Sequence, residues 1–509
     1  MSLDAVMSVA VGGLANINHK LRVVSQNVAN ASTPNYAREV ATDRSIAAAD
    51  GQGMGVRRGP VQRVIDQQLQ AGLFTQNATV AALEARLAQL QQLDAVQGTP
   101  GQGQDLAALV GKLTDAFSRL AGDASNSTQQ TATLAASTAL ARQLNSLADA
   151  VTRERQQAQH SIVNDVTTLN TALASVGTLS VKIIQLRANG QDTADLENQR
   201  DLARDNLSRL LDVRTLEQPN GDMILLTPSG LRLPTGPGAA PFSTSDANPG
   251  PTTWYPGGGL PGILLDGKDV TAQLQGGAMG ARIGLRDQIL PTLQAGLDEF
   301  AITLSTRFES QGLRLFTDAS GTVPVPTGPS AQDGYIGYAG AIQVNPAVGM
   351  NPALLRDGTQ GIAGSASGAS AFTPNPAGGP TGFTTLIARI LNFAVGSEAQ
   401  AAVGQPAAQT TGLGPTGALA TGFAPPNDLA GFAGSLTAAH AHESAAASTQ
   451  LADETAVQSA LKDRMSAISG VTMDAEMAAM IQLQSLYAAH AKLVSAVQSM
   501  WAQTLQMVQ

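Results

Sequence analysis

The residues best able to do chemistry are few and scattered. Gly262-Ile263-Leu264-Leu265-Asp266-Gly267-Lys268 has the spacing of a phosphate-binding loop, where backbone amides cradle phosphate and a lysine neutralises it. The next position is Asp269, where a Ser or Thr hydroxyl would ligate magnesium. A carboxylate there repels phosphate, and no helix follows, so strand–turn–strand is the better reading. His440 and His442 are two apart, which on a helix points them to different faces. Glu443 is adjacent but no third ligand is placed, so a solvated helix end is expected rather than a metal site. His19, His160 and His490 are isolated, and there is no cysteine, which excludes disulfides and thiolate chemistry. No paired carboxylates and no nucleophile–base constellation stand out. The expectation is a protein that is not an enzyme and uses no cofactor or metal.

What the chain does carry is apolar periodicity at both ends. Leu3, Met7, Ala10, Leu14, Ile17, Leu21, Val24 and Val28 recur in alternating steps of four and three, a heptad seam. A helix of that length spans roughly 40 Å, so only a partner of similar length could cover the seam. Asn30-Ala31-Ser32-Thr33-Pro34-Asn35-Tyr36 then ends it, with turn-forming residues around a proline. At the other end Met473, Met477, Met480, Leu483, Tyr487, Ala491, Val494, Val497, Trp501, Leu505 and Val508 again step by threes and fours, with no Gly or Pro after Gly470. The plain reading is an antiparallel pair closing a globular protein. The other is a pair that also meets neighbouring molecules, which the Met-rich face suits because Met adapts to irregular surfaces.

Between the ends, 509 residues imply more than one domain. A net charge of −9, with no basic run interleaved with aromatics, argues against nucleic acid as a partner. No eighteen-residue apolar run appears, so no membrane span is expected, and no cleavable signal is evident. Residues 37–60 read as an irregular or extended connection. Helices are expected over 61–96 and 106–120. Residues 123–176 hold no Gly or Pro, and their apolar face runs on past Gly177 to Leu186. Another helix covers 196–211. A β-hairpin is expected at Val213–Glu217 and Met223–Thr227, with strands at Ile263–Leu265 and Val270–Ala272. Helix returns at 285–310, interrupted by Pro291, and again at 436–465.

Residues 321–430 hold 31 Gly or Pro among 110, with strand signals at Tyr335–Tyr338 and Ala341–Val344 and a short helix at 384–395. The expected fold is mainly α: a long helical bundle or coiled coil from both chain ends, a small β-hairpin region, and an inserted loop-rich β domain. The expected division is a terminal coiled coil (1–40 with 466–509) and a helical bundle (41–320 with 431–465) containing a β region at 213–275. An outer insert (321–430) would complete it. That insert carries none of the seam, so a Gly/Ser linker should replace it.

Several of these stretches resemble one family. Asn27-Val28-Ala29-Asn30, then Thr33-Pro34-Asn35-Tyr36, resembles the N-terminal signature of bacterial flagellar axial proteins (rod, hook and hook-associated), with Asn35 where Gly is common. Ser469-Gly470-Val471-Thr472-Met473-Asp474-Ala475-Glu476-Met477 resembles their C-terminal signature. Leu196-Glu197-Asn198-Gln199-Arg200-Asp201 and the 276–291 stretch, with Arg286, Asp287 and Pro291, resemble the hook-associated members. The resemblance implies a structural adaptor at the hook–filament junction, self-associating in a helical ring with its terminal helices innermost. Leu3, Met7, Leu14, Ile17, Leu21, Val24, Val28, Met480, Leu483, Tyr487, Val494, Val497, Trp501 and Leu505 would form the assembly interface. Hook protein and a second junction protein would be neighbours, and a flagellar export chaperone would hold the C-terminal helix. The place implied is the extracellular flagellum, reached without a cleaved signal. A hook or distal rod protein, which shares the end motifs, is the alternative. A secreted enzyme on an axial scaffold is the third.

Overall fold

The computed structural model describes residues 3–47, 53–98, 102–328, 330–362, 372–401, 403 and 407–507. The architecture is mainly α with a few small antiparallel sheets. α1 (Leu3–Ala29) leads into β1 (Glu39–Ala47) and β2 (Gly53–Arg63), which pair antiparallel. Residues 37–60 therefore form most of a long hairpin, extended rather than irregular, and helix begins only at Gln67. The helix reading failed there because Pro60 and the stretch before it favour extended backbone. α2 (Gln67–Gln97) starts on Asp66, whose carboxylate accepts from the Gln68 and Leu69 amides.

α3 (Leu106–Gly122) and α4 (Ser127–Ala188) follow, capped by Asp105 and Asn126. α4 runs unbroken for 62 residues, through Gly177. A Cβ at Gly177 would lie 2.2 Å from the Thr235 carbonyl oxygen, so the glycine lets a loop cross the helix closely. One window of α4 is long and apolar enough to cross a membrane by length and composition. Its apolar residues Leu140, Leu144, Val151, Ile162, Leu169 and Val176 are instead buried in the protein's own core.

α5 (Ala194–Leu210) packs back on α4. The β region comprises β3 (Arg214–Glu217), β4 (Met223–Leu226) and β5 (Arg232–Leu233) in one sheet, and β6 (Phe242–Ser243), β7 (Leu264–Leu265) and β8 (Lys268–Asp269) in another. Val270–Ala272 is not a strand; Thr271–Gln273 form a single tight helical turn. α6 (Gly277–Gly284) passes through a wide turn at Leu285–Ile289 into α7 (Leu290–Ser310), with Pro291 in the first turn, where a missing N–H costs nothing.

Residues 321–430 depart from the expected β domain. β9 (Phe316–Thr317) pairs with β10 (Gln343–Val344), and the other elements described are single turns and the short helices α8 (Pro346–Met350), α9 (Leu354–Asp357) and α10 (Thr385–Arg389). Tyr335, Tyr338, Ile342, Leu355, Leu386 and Ile390 lie in the same buried cluster as Phe117, Phe300 and Phe308. The strand-like aromatics close a turn over α7 instead. Asp298, fully buried, accepts from the Gly337 and Ala339 amides at 2.8 and 2.9 Å, and Tyr338 shares a hydrogen bond with Ser305. The segment fills the helical body rather than sitting outside it.

α11 (Leu429–Ser469) returns across α2, α3 and α7, and α12 (Met473–Met507) packs on α1. The crossing is antiparallel: Asn27 meets Glu476, and Gly13 lies against His490. A Cβ on Gly13 would lie 2.6 Å from the His490 ring, so the glycine sets how closely the two helices approach.

Candidate assembly interface

The motif at the end of α1 builds the root of the terminal pair. Asn35 has φ of +60°, the left-handed turn that Asn tolerates. Asn30 ties its side chain to the Gln26 carbonyl and accepts from the Thr33 hydroxyl, while Thr33 and Pro34 are exposed. Asn27 is completely buried. Its side-chain amide donates to the Glu39 carbonyl (2.8 Å) and to Glu476 (3.1 Å), and its oxygen accepts from the Glu39 amide (2.9 Å) and the Tyr36 hydroxyl (3.2 Å). One side chain thus joins α1, the hairpin and α12.

Glu476 is only 1% exposed and pairs with Arg38 at 2.5 Å, while the Arg38 amide donates to the Ser469 carbonyl. Glu39 accepts from Asn198 of α5 at 3.0 Å, and Asn198 also bonds both ways to the Ala37 backbone. Burial, reinforced by nearby Asp195, pushes the Glu39 carboxyl up to about 7. Burial, with Glu39 beside it, likewise pushes the Tyr36 hydroxyl up.

Arg63 of β2 ties the hairpin to α5 through Asp201 (2.6 Å) and Glu197 (3.0 Å). Asp201 also accepts from Arg204 and Gln70. Burial alone would raise Asp201, but Arg63 and Arg204 hold it below the usual carboxylate range. Arg200, 1% exposed, donates to the Gly221 carbonyl and pairs with Glu217, so it locks α5 to the β3–β4 turn. Arg286, Asp287 and Pro291 stand apart from this root. Arg286 is fully buried, bidentate to Asp287, bonded to Gln159 and the Pro261 carbonyl, and over the Tyr255 ring. It anchors the β region to α4.

The expected interface residues divide. On α1, Ile17 is buried and Met7, Leu14, Leu21, Val24 and Val28 are half-buried. On α12, Val497 is buried and Met480, Leu483 and Val494 are half-buried, whereas Tyr487 and Trp501 are exposed. The side chains of Leu3 and Leu505 lie outside the described residues. Met473, Met477, Ile481, Leu486, Leu493, Met500 and Met507 are exposed as well. α12 therefore spends one face on α1 and leaves a second apolar face open along its length.

Arg38, Glu39, Arg63 and Asn198 escaped the sequence reading as site residues. Asn198 lay inside one quoted motif and Glu476 inside another, and Glu476 was also passed over. A carboxylate beside an otherwise apolar seam was the available signal.

The residues considered for chemistry do something else. Gly262–Asp269 forms a strand–turn–strand, with Asp269 accepting from Thr271 and Tyr255. His440 is buried rather than solvated, 2.8 Å from Asp94, and burial lowers its pKa. No cluster of metal-ligating side chains occurs among the described residues.

Residues 90–321 match the family described as the flagellar hook-associated protein FlgK helical domain. Residues 463–507 match the C-terminal region of flagellar basal body rod FlgEFG proteins. Over residues 90–321 the chain is similar to FlgK. Flagellar hook-associated protein 1 of Bacillus subtilis (strain 168) is 24% identical over 222 residues, which is 41% of this chain and 43% of that protein. The chain thus matches less than half the length of that relative. The flagellar hook junction protein FlgK from Burkholderia pseudomallei is 22% identical, covers 50% of this chain and 45% of its own, and superposes with a TM-score of 0.40. The helical-domain match spans α3 to α7 and so contains Arg200, Asp201, Arg286 and Asp287. The C-terminal match contains Glu476 and the open face of α12.

Proposed function

We propose that this chain is a structural part of the bacterial flagellar axis, acting outside the cell at the hook–filament junction. It works by self-association in a helical ring, with α1 and α12 as the inner assembly elements. Hook protein and a second junction protein are its neighbours, and a flagellar export chaperone covers the C-terminal helix before assembly. The role is mechanical, with no catalysis. The terminal pair is one unit; the rest, residues 321–430 included, is the body. The observation that supports the reading is the second apolar face of α12, which no element among the described residues covers. Burying it against neighbours would release about 25 cal/mol per Å² of apolar surface. A surface that meets a different patch on the next copy propagates helically. The match over α3–α7 favours a hook-associated protein over a hook or rod protein.

The test is complementation of a flagellated strain lacking its own junction protein. The full chain should restore filaments, and a Trp501→Asp chain should be exported yet leave filament subunits secreted without polymerising. Filaments restored equally well by Trp501→Asp would sink the reading.

A further inference from the structure

A second surface stands apart from the apolar face. α1, the β1–β2 hairpin and the α4–α5 connection enclose a cleft of about 850 Å³. Arg22, Arg44, Arg57 and Arg58 edge it, all exposed. Arg44 and Arg57 lie directly opposite each other across the two strands. Like charges so placed destabilise a hairpin, so folding alone does not account for them.

The carboxylates in the cleft are already engaged. Asp192 accepts from the Val61 amide and faces His19; Glu197 takes Arg63, Arg187 and Thr193; Glu217 takes Arg200. Arg58 donates to the Ala15 carbonyl, which neutralises nothing. No salt bridge engages any of the four edging arginines among the described residues.

The rest of the chain is the complement. Residues 1–65 hold seven Lys or Arg against four Asp or Glu, a net of +3, within a chain of net −9. Everything after residue 65 therefore carries −12. We propose that this arginine cleft receives an acidic surface of the body of a second copy of this chain. The proposal rests on the self-assembly reading and gives it direction: the basic end of one subunit is drawn to the acidic body of the next. Complementary patches of this kind set register and speed encounter, and salt weakens them.

Sedimentation of the purified full chain tests it at about 50 and about 500 mM salt, which shortens the screening length severalfold. Self-association should weaken at the higher salt. The double variant Arg44→Glu/Arg57→Glu should associate about tenfold or more weakly and lose most of the salt dependence. Its melting temperature should not fall, because the like-charge pair loses no partner within the chain. Arg44→Lys/Arg57→Lys should keep most of the association. Should the strand variants fail to fold, Arg22→Glu on α1 replaces them with the same expectation. An arginine variant that associates like the parent, while Trp501→Asp does not, overturns the cleft and leaves the apolar reading standing. Absence of association by the parent chain at either salt overturns both. Capture of duplex DNA at low salt, with self-association untouched by the variants, would give the cleft to a different partner and overturn the proposal.

Discussion

α4 and α12 are both long helices with a periodic apolar stripe, and their fates differ. α4 lies against α3, α5, α6 and α7, with Leu140, Leu144, Ile162, Leu169, Val176 and Ile183 all at 0% exposure. α12 packs on α1, and of its large apolar residues whose side chains are described Val497 is the one fully buried. The stripe on α4 is answered inside the chain. On α12 much of the apolar surface is left open. Periodicity reports that a helix needs company, but it does not say whether the company is in the same molecule.

The sharpest way to break this contrast is to attack the body. Replacing 321–430 with a Gly/Ser linker should abolish cooperative folding, because it strips Tyr335, Tyr338, Leu355, Leu386 and Ile390 from the main core. Circular dichroism and calorimetry read the result. A body that still melts cooperatively would return 321–430 to the status of a separate insert. At single-residue scale, Phe308 stands between Phe117 and Phe316, with ring centroids 5.8 and 5.3 Å away. Phe308→Ala should cost about 3–5 kcal/mol in chemical denaturation, as a large cavity in a dry core does.

A smaller effect is expected where the two regions join. Glu476→Ala removes the carboxylate that pairs with Arg38 and accepts from Asn27, leaving Asn27 buried with a donor unmet. The loss should be about 3 kcal/mol, the scale for breaking a buried ion pair. It should fall on the attachment of α12, not on the body. Limited proteolysis should then release the 470–507 region quickly while the body's melting temperature stays within a degree or so. A matched drop in body stability would mean that the pair and the body fold as one unit.

Much of this was readable from residue order. The helices of the body, the β3–β4 hairpin and the long unbroken α4 follow from period, caps and the absence of Gly and Pro. The β1–β2 hairpin did not, because Gly53, Gly55 and Gly59 lie within its second strand and its strands alternate weakly between Val40, Ile46 and Val56. The place of 321–430 was hidden for a different reason. Its contribution to the core is single aromatic and aliphatic side chains on turns, pinned by Asp298 and Glu299 from α7. A carboxylate buried to hold loop amides has no spacing signature. In the site, the motif stretches marked Asn27 and Asp201, but the convergence of Asn27, Glu39, Arg63, Asn198 and Glu476 spans 449 positions of chain and needs the fold.

Acidity offers a finer probe of the join. The Glu39 carboxyl rises from an ordinary 4.5 to about 7, chiefly through burial. The folded state then holds its proton across that window while the unfolded state has released it. The contribution is fully present below about 4.5 and is lost as pH rises through about 7. Glu39→Gln, which keeps an acceptor for Asn198, should therefore gain about 1–3 kcal/mol over the parent at pH 8. The gain should vanish near pH 4.5. Denaturation curves at the two pH values decide it, and an equal difference at both would show that Glu39 is already ionised without penalty.

The smallest effect on the isolated chain belongs to the face that matters most for assembly. Trp501 is 41% exposed on the open side of α12, whereas Val494 and Leu21 are half-buried in the pair. A charge at Val494 or Leu21 would disturb the pair itself, so neither tests assembly cleanly. Trp501→Asp places a carboxylate where water already reaches, and the monomer's stability should change by no more than about 0.5 kcal/mol. In an assembled ring the same carboxylate would be buried without a partner in every subunit, at several kcal/mol each. The expected outcome is a monomer that melts like the parent and does not sediment as an oligomer. A Trp501→Asp chain that melted far earlier would mean the open face is covered within the monomer. One that melted normally and still oligomerised would mean that assembly runs through another surface, and the contrast between α4 and α12 would then carry no functional meaning.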